Sequence, residues 1–96
     1  MTFTVANVEY SLNDFMRRVG YKPIAVSPSG QLNCVHPLGA DYPRFHAYVD
    51  ETPQGIRFNL HLDQKKSSYE GSHAHNGEYE GPIIEDERHR ILELAG

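Results

Sequence analysis

Residues 44–65 read RFHAYVDETPQGIRFNLHLDQK. Apolar and polar residues alternate on both sides of Thr52-Pro53-Gln54-Gly55, as two half-buried strands joined by a tight turn require. Pro53 fixes one turn dihedral and Gly55 frees another. On the second strand Ile56, Phe58, Leu60 and Leu62 share one face, while Arg57, Asn59, His61 and Asp63 share the other. On the first, Phe45, Ala47 and Val49 oppose Arg44, His46, Tyr48 and Asp50. Pairing Glu51 with Ile56 sets Val49 against Phe58, Ala47 against Leu60 and Phe45 against Leu62. The other face then sets His46 beside His61, Arg44 beside Asp63 and Tyr48 beside Asn59. A one-residue slip would oppose apolar to polar throughout, so the pattern resists it. Facing side chains stand roughly 5 Å apart at Cβ, which makes the polar face a cluster.

Working back along the chain, residues 31–36 and 22–26 read as a second hairpin about the Pro28-Ser29-Gly30 turn. Leu12, Phe15, Met16 and Val19 fall at helical spacing. Ser11 and Asp14 resemble a capping box in front of that stripe, and Gly20 stops it. Arg17 and Arg18 suit the negative end of the helix dipole and read as solvated. Residues 2–6 alternate and read either as a short edge strand or as an ordered lead-in. Residues 37–43 form a loop.

Beyond the central hairpin, residues 66–82 read as a long loop containing SHAHNGEYEG; loops of that length in a compact domain are mostly functional or disordered. Residues 83–94 read as a helix, with Pro82 before it, acidic residues in its first turns and Ile84, Ile91 and Leu94 as core positions. Asp86 and Arg90 are spaced to pair on its surface.

A chain of 96 residues makes one domain with a modest core. A net charge of −4 argues against a broad basic nucleic-acid surface, though it leaves room for a site holding one phosphate. The single cysteine, Cys34, excludes an internal disulfide and reads as a small buried hydrophobe. No apolar run is long enough to span a membrane, and the expectation is a soluble cytoplasmic protein.

The chemistry concentrates in His61-Leu62-Asp63-Gln64-Lys65, whose first, third and fifth residues share a face, with His46 joining from the neighbouring strand. Imidazole and carboxylate together suit zinc, manganese or iron, and a sheet face holds ligands rigidly. His46, His61 and Asp63 are therefore the expected catalytic and metal-binding residues. An Arg44–Asp63 salt bridge is the structural alternative. His73 and His75 could add metal ligands if the loop folds back over the sheet. Arg44, Tyr48, Asn59, Lys65 and Tyr79 are the expected ligand-binding residues, with Arg44, Lys65 and Lys66 neutralising an anion.

The phrases RFHAY, FNLHLDQKK, SYEGSHAH and GEYEG resemble those of a family of short uncharacterised bacterial proteins, over roughly the second half of the chain. A local motif, Leu60-His61-Leu62-Asp63-Gln64-Lys65, is similar to the Leu-His-x-Asp-x-Arg strand of the 3′-phosphoesterase domain of bacterial end-joining DNA ligases, with Lys65 where that family has Arg. His73 or His75 and Tyr79 would stand for that family's later His and Tyr. The resemblance implies a manganese-dependent phosphoester hydrolase with His61 and Asp63 at the metal. That domain is a larger all-β barrel, whereas this chain reads with a helix towards each end.

The expected architecture is α+β: a four-stranded antiparallel sheet with an N-terminal and a C-terminal helix on its apolar face. Leu12, Phe15, Met16 and Val19 should pack against Phe45, Phe58, Leu60 and Leu62. The expected function is a metal site, zinc or manganese, acting on a phosphate-containing or other small anionic ligand. The alternatives are a non-catalytic module that binds a peptide, nucleotide or single-stranded nucleic acid, and a pH-sensitive histidine surface.

Overall fold

In a computed structural model, which describes residues 1–64, the backbone of 77–78, and 80–95, the central hairpin forms as its alternation dictates. Strands β4 (Arg44–Thr52) and β5 (Gly55–Asp63) pair antiparallel from Thr52↔Gly55 to Arg44↔Asp63, in the expected register. The Thr52 hydroxyl donates to Gly55 O at 3.1 Å and accepts from Gln54 N at 3.2 Å, closing the turn.

The other elements are β1 (Thr2–Val5), α1 (Leu12–Arg18), β2 (Lys22–Val26), β3 (Leu32–Pro37), β6 (Gly77–Glu78) and α2 (Pro82–Ala95). The strands run β1-β5-β4-β3-β2, all pairs antiparallel, with β6 also on β5. The sheet is thus larger than the four strands expected from sequence. Strand β1 lies along the outer edge of β5, from Thr2↔Asn59 to Val5↔Ile56, and β6 pairs with Leu62 and Asp63. A nine-residue strand buried among neighbours needs both rows of backbone groups paired, and β1 meets that need. Phe3 stacks on Phe58, with ring centroids 5.0 Å apart, and Val5 is buried. The turn admits this neighbour because Gly55, at φ 142°, has no Cβ; one placed there would lie 2.1 Å from Val5 O.

Both helices pack on the apolar face. Phe15, Met16 and Val19 of the first helical segment, together with Ile84 and Ile91 of α2, join Phe45, Ala47, Val49, Phe58, Leu60 and Leu62 in one buried cluster. Leu12 and Leu94 are half-buried at its margin. Ser11 caps α1 by accepting from Asp14 N at 3.2 Å. At its other end Gly20, at φ 91°, allows Gly20 N to reach Arg17 O and Tyr21 N to reach Met16 O, two bonds that satisfy carbonyls the helix leaves open. Arg18 is not simply solvated: its Nε donates to Leu94 O at 3.0 Å, tying α1 to the end of α2.

Arg90 turns away from its expected partner Asp86. It bonds both carboxylate oxygens of the buried Glu87, at 2.7 and 2.8 Å, and Val19 O at 2.6 Å. Tyr21 donates to Glu87 Oε2 at 2.6 Å, so this buried carboxylate is held by both neighbours, as its desolvation requires. Among the described residues no helix is long and apolar enough to cross a membrane.

Phe58 is fully buried between Phe3 and the edge of Phe15. Phe58→Ala should cost about 3–5 kcal/mol of unfolding free energy in urea titration. A loss under about 1 kcal/mol, the scale of a surface change, would take Phe58 out of the core.

Candidate functional site

On the face away from the helices, β4 presents Arg44, His46, Tyr48 and Asp50, and β5 presents Arg57, Asn59, His61 and Asp63. The β3 register adds two residues that the central hairpin alone does not reveal. Asn33 stands opposite Tyr48, and Val35 opposite His46.

The Asp63 carboxylate is the meeting point. Its Oδ2 lies 3.3 Å from Arg44 Nε and 3.1 Å from His46 Nδ1, and its Oδ1 lies 3.1 Å from His61 Nε2. The two imidazole centroids are 4.6 Å apart. Tyr48 lies against both rings, its centroid 4.9 Å from His46 and 6.1 Å from His61. His46 and His61 are only 9% and 8% exposed although they lie on the polar face. Val35, itself buried, flanks His46 on the side away from His61.

Burial sets the protonation state. Desolvation pushes the pKa of His46 below the ordinary imidazole value, and the Arg44 charge adds to this while Asp63 opposes it. Desolvation does the same for His61, reinforced by His46 and again opposed by Asp63. At neutral pH both rings are therefore neutral, and their contacts with Asp63 are not ion pairs despite their closeness.

Asn33 adds a contact from β3: its side-chain amide lies against His46 Nε2, while His46 Nδ1 faces the Asp63 carboxylate at 3.1 Å. An imidazole nitrogen beside a carboxylate either donates its proton to that oxygen or, deprotonated, shares a metal ion with it.

The His46, His61 and Asp63 donor atoms lie within 4.8 Å of one another and could hold a metal ion. Tetrahedral ligands at about 2.1 Å stand about 3.4 Å apart. The two imidazole–carboxylate separations of 3.1 Å are already near that value. The widest pair, at up to 4.8 Å, would close by up to about 1.4 Å, within the reach of side-chain rotation.

Of the other expected site residues, Arg44 touches Asp63, Tyr48 packs on the imidazoles, and Asn59 is exposed beside them on the same face. The expected Arg44–Asp63 pair thus belongs to the cluster and does not replace it. Lys65, Lys66, His73, His75 and Tyr79 lie outside the described residues. Arg57 is occupied by a two-pronged bond to Asp50, at 3.3 and 2.9 Å. Cys34 is buried on the helix side, where burial raises its thiol pKa to about 11; it has no part in this chemistry.

No family model, curated protein or solved structure matches the chain.

The depressed imidazole pKa values link stability to pH. The unfolded chain takes up protons near the ordinary value, about 6.5, before the folded chain does. Stability should be level above that pH and fall as the pH drops below it, by up to about 1.4 kcal/mol per pH unit for each imidazole. Urea titrations of the metal-free protein between pH 7.5 and 5 should show this slope, and His61→Gln should flatten it. Equal slopes in the two proteins would mean that His61 stays protonatable in the fold.

Proposed function

We propose that His46, His61 and Asp63 form a single divalent-metal centre, for zinc or manganese, in a hydrolase that acts on a phosphate-containing or other anionic ester. The observation that carries this reading is the convergence of His46 Nδ1 and His61 Nε2 on the two oxygens of the Asp63 carboxylate, each at 3.1 Å. Two neutral imidazoles and one carboxylate suit these ions, and their desolvation makes a bare polar cluster costly. The similarity of Leu60–Lys65 to the ligase phosphoesterase strand supports the choice of a phosphoester.

The roles divide by position. His46 and His61 bind through one nitrogen each, and Asn33 holds His46 by the other, as outer partners of metal ligands commonly do. Asp63 lends the charge that a divalent ion needs and is steadied by Arg44. A divalent ion bound there supplies a Lewis acid. Tyr48 walls one side of the centre, limiting access of water from that direction.

Calorimetric titration of tag-free, metal-stripped protein with zinc and with manganese tests the centre. The wild type should bind one ion at least tenfold more tightly than His46→Ala or His61→Ala, and the affinity should fall as the imidazoles protonate. If both variants bind as tightly as the wild type, the metal reading is wrong. Turnover of bis(p-nitrophenyl) phosphate or p-nitrophenyl phosphate by the loaded wild type, absent from both variants, tests the hydrolytic step. Tight binding without turnover would leave a metal-binding protein that is not a hydrolase of these esters.

A further inference from the structure

We infer that Arg44 is the anion anchor of this centre and that it selects a doubly charged oxyanion as the ligand. The inference rests on the metal reading above and adds the charge and the contact that define the ligand class. Arg44 is held on two sides. Its Nε donates to Asp63 Oδ2 at 3.3 Å, and its guanidinium carbon lies 4.7 Å from the centre of the Tyr42 ring. Its side chain is 23% exposed, so it stands at the rim of the cluster. Among the described residues neither of its terminal Nη atoms has a hydrogen-bond acceptor.

An arginine braced through Nε and one ring face keeps its remaining donors in a fixed fork, the geometry that suits two oxygens of a phosphate or carboxylate. The other arginine on this face, Arg57, has spent that capacity on Asp50. Arg44 is also one ion-pair length from the carboxylate that would hold the metal, so one anion can touch both.

Charge sets the preference. The Arg44 and Asp63 charges cancel, and an imidazole binds a metal ion in its neutral form. The full charge of a divalent ion would then stand uncompensated in a half-buried site, and a dianion neutralises it where a monoanion does not. Metal and anion should consequently bind cooperatively, each tightening the other by the same factor.

The test uses phenylphosphonate, a tetrahedral dianion that is not hydrolysed, succinate as a dicarboxylate, and acetate as a monoanion. Each is titrated calorimetrically into zinc-loaded and metal-free protein, for wild type, Arg44→Gln and Arg44→Lys, with circular dichroism confirming that the variants fold. A dianion should bind the loaded wild type at least tenfold more tightly than acetate, and the tighter of the two dianions names the ligand class. Arg44→Gln should keep zinc affinity within a few-fold and lose about tenfold or more in dianion affinity, together with the zinc–dianion coupling. Arg44→Lys, which keeps the charge but loses the fork, should fall between.

Equal dianion affinity in wild type and Arg44→Gln overturns the anchor. So does acetate binding as tightly as the dianions, or loss of zinc binding in Arg44→Gln, which would mean that Arg44 serves Asp63 alone. If zinc fails to bind the wild type, the metal reading falls separately. The anchor then stands or falls on the metal-free titrations, where dianion binding should be weaker yet still lost in Arg44→Gln.

Discussion

The pairing of β4 with β5 governs the rest of the molecule. Two strands with the same alternation, set in phase, bring their apolar residues to one side and the polar residues between them to the other. The apolar side recruits both helices through Phe15, Met16, Ile84 and Ile91. The polar side collects His46, His61, Asp63 and Arg44 without a loop having to place any of them. One register therefore accounts for both the core and the cluster, and a slip that spoiled either would spoil the other.

Within the cluster, Asp63 gathers three basic groups on two oxygens. Its neighbours meet different needs. Arg44 brings a permanent charge, whereas the imidazoles are kept neutral by the burial that Val35 and their mutual packing help to provide. Asn33 sets its side-chain amide against Nε2 of His46. Two imidazole nitrogens converging on one carboxylate make a donor set that could hold a metal ion.

Much of this was legible in the sequence because period-two alternation is a strong signal and the turn Thr52–Gly55 fixed its phase. The His46–His61 neighbourhood followed directly. Asn33 was not legible, since its position depends on the β3–β4 register, and the connection between those strands carries no comparable turn signal. Strand β1 was ambiguous because four residues are too short to separate a strand from a lead-in; its pairing comes from the open edge of β5, a property of the sheet. Glu87 was hidden for a related reason. Helical spacing offered Asp86 to Arg90, but Tyr21 and Val19 O, distant in sequence, draw Arg90 inward to Glu87.

The cluster sits on two strands that each have neighbours on both sides in the sheet order. Such strands belong to the part of a fold that opens only when the whole structure opens. His46 and His61 cannot part by a local hinge movement, because they face one another in the β4–β5 register and His46 is paired in turn with Val35 of β3. Whatever occupies this place is consequently gripped by the global stability of the domain. Its binding energy returns to that stability in full, so that occupancy would be written into the melting temperature and the slowest hydrogen-exchange rates of the entire chain.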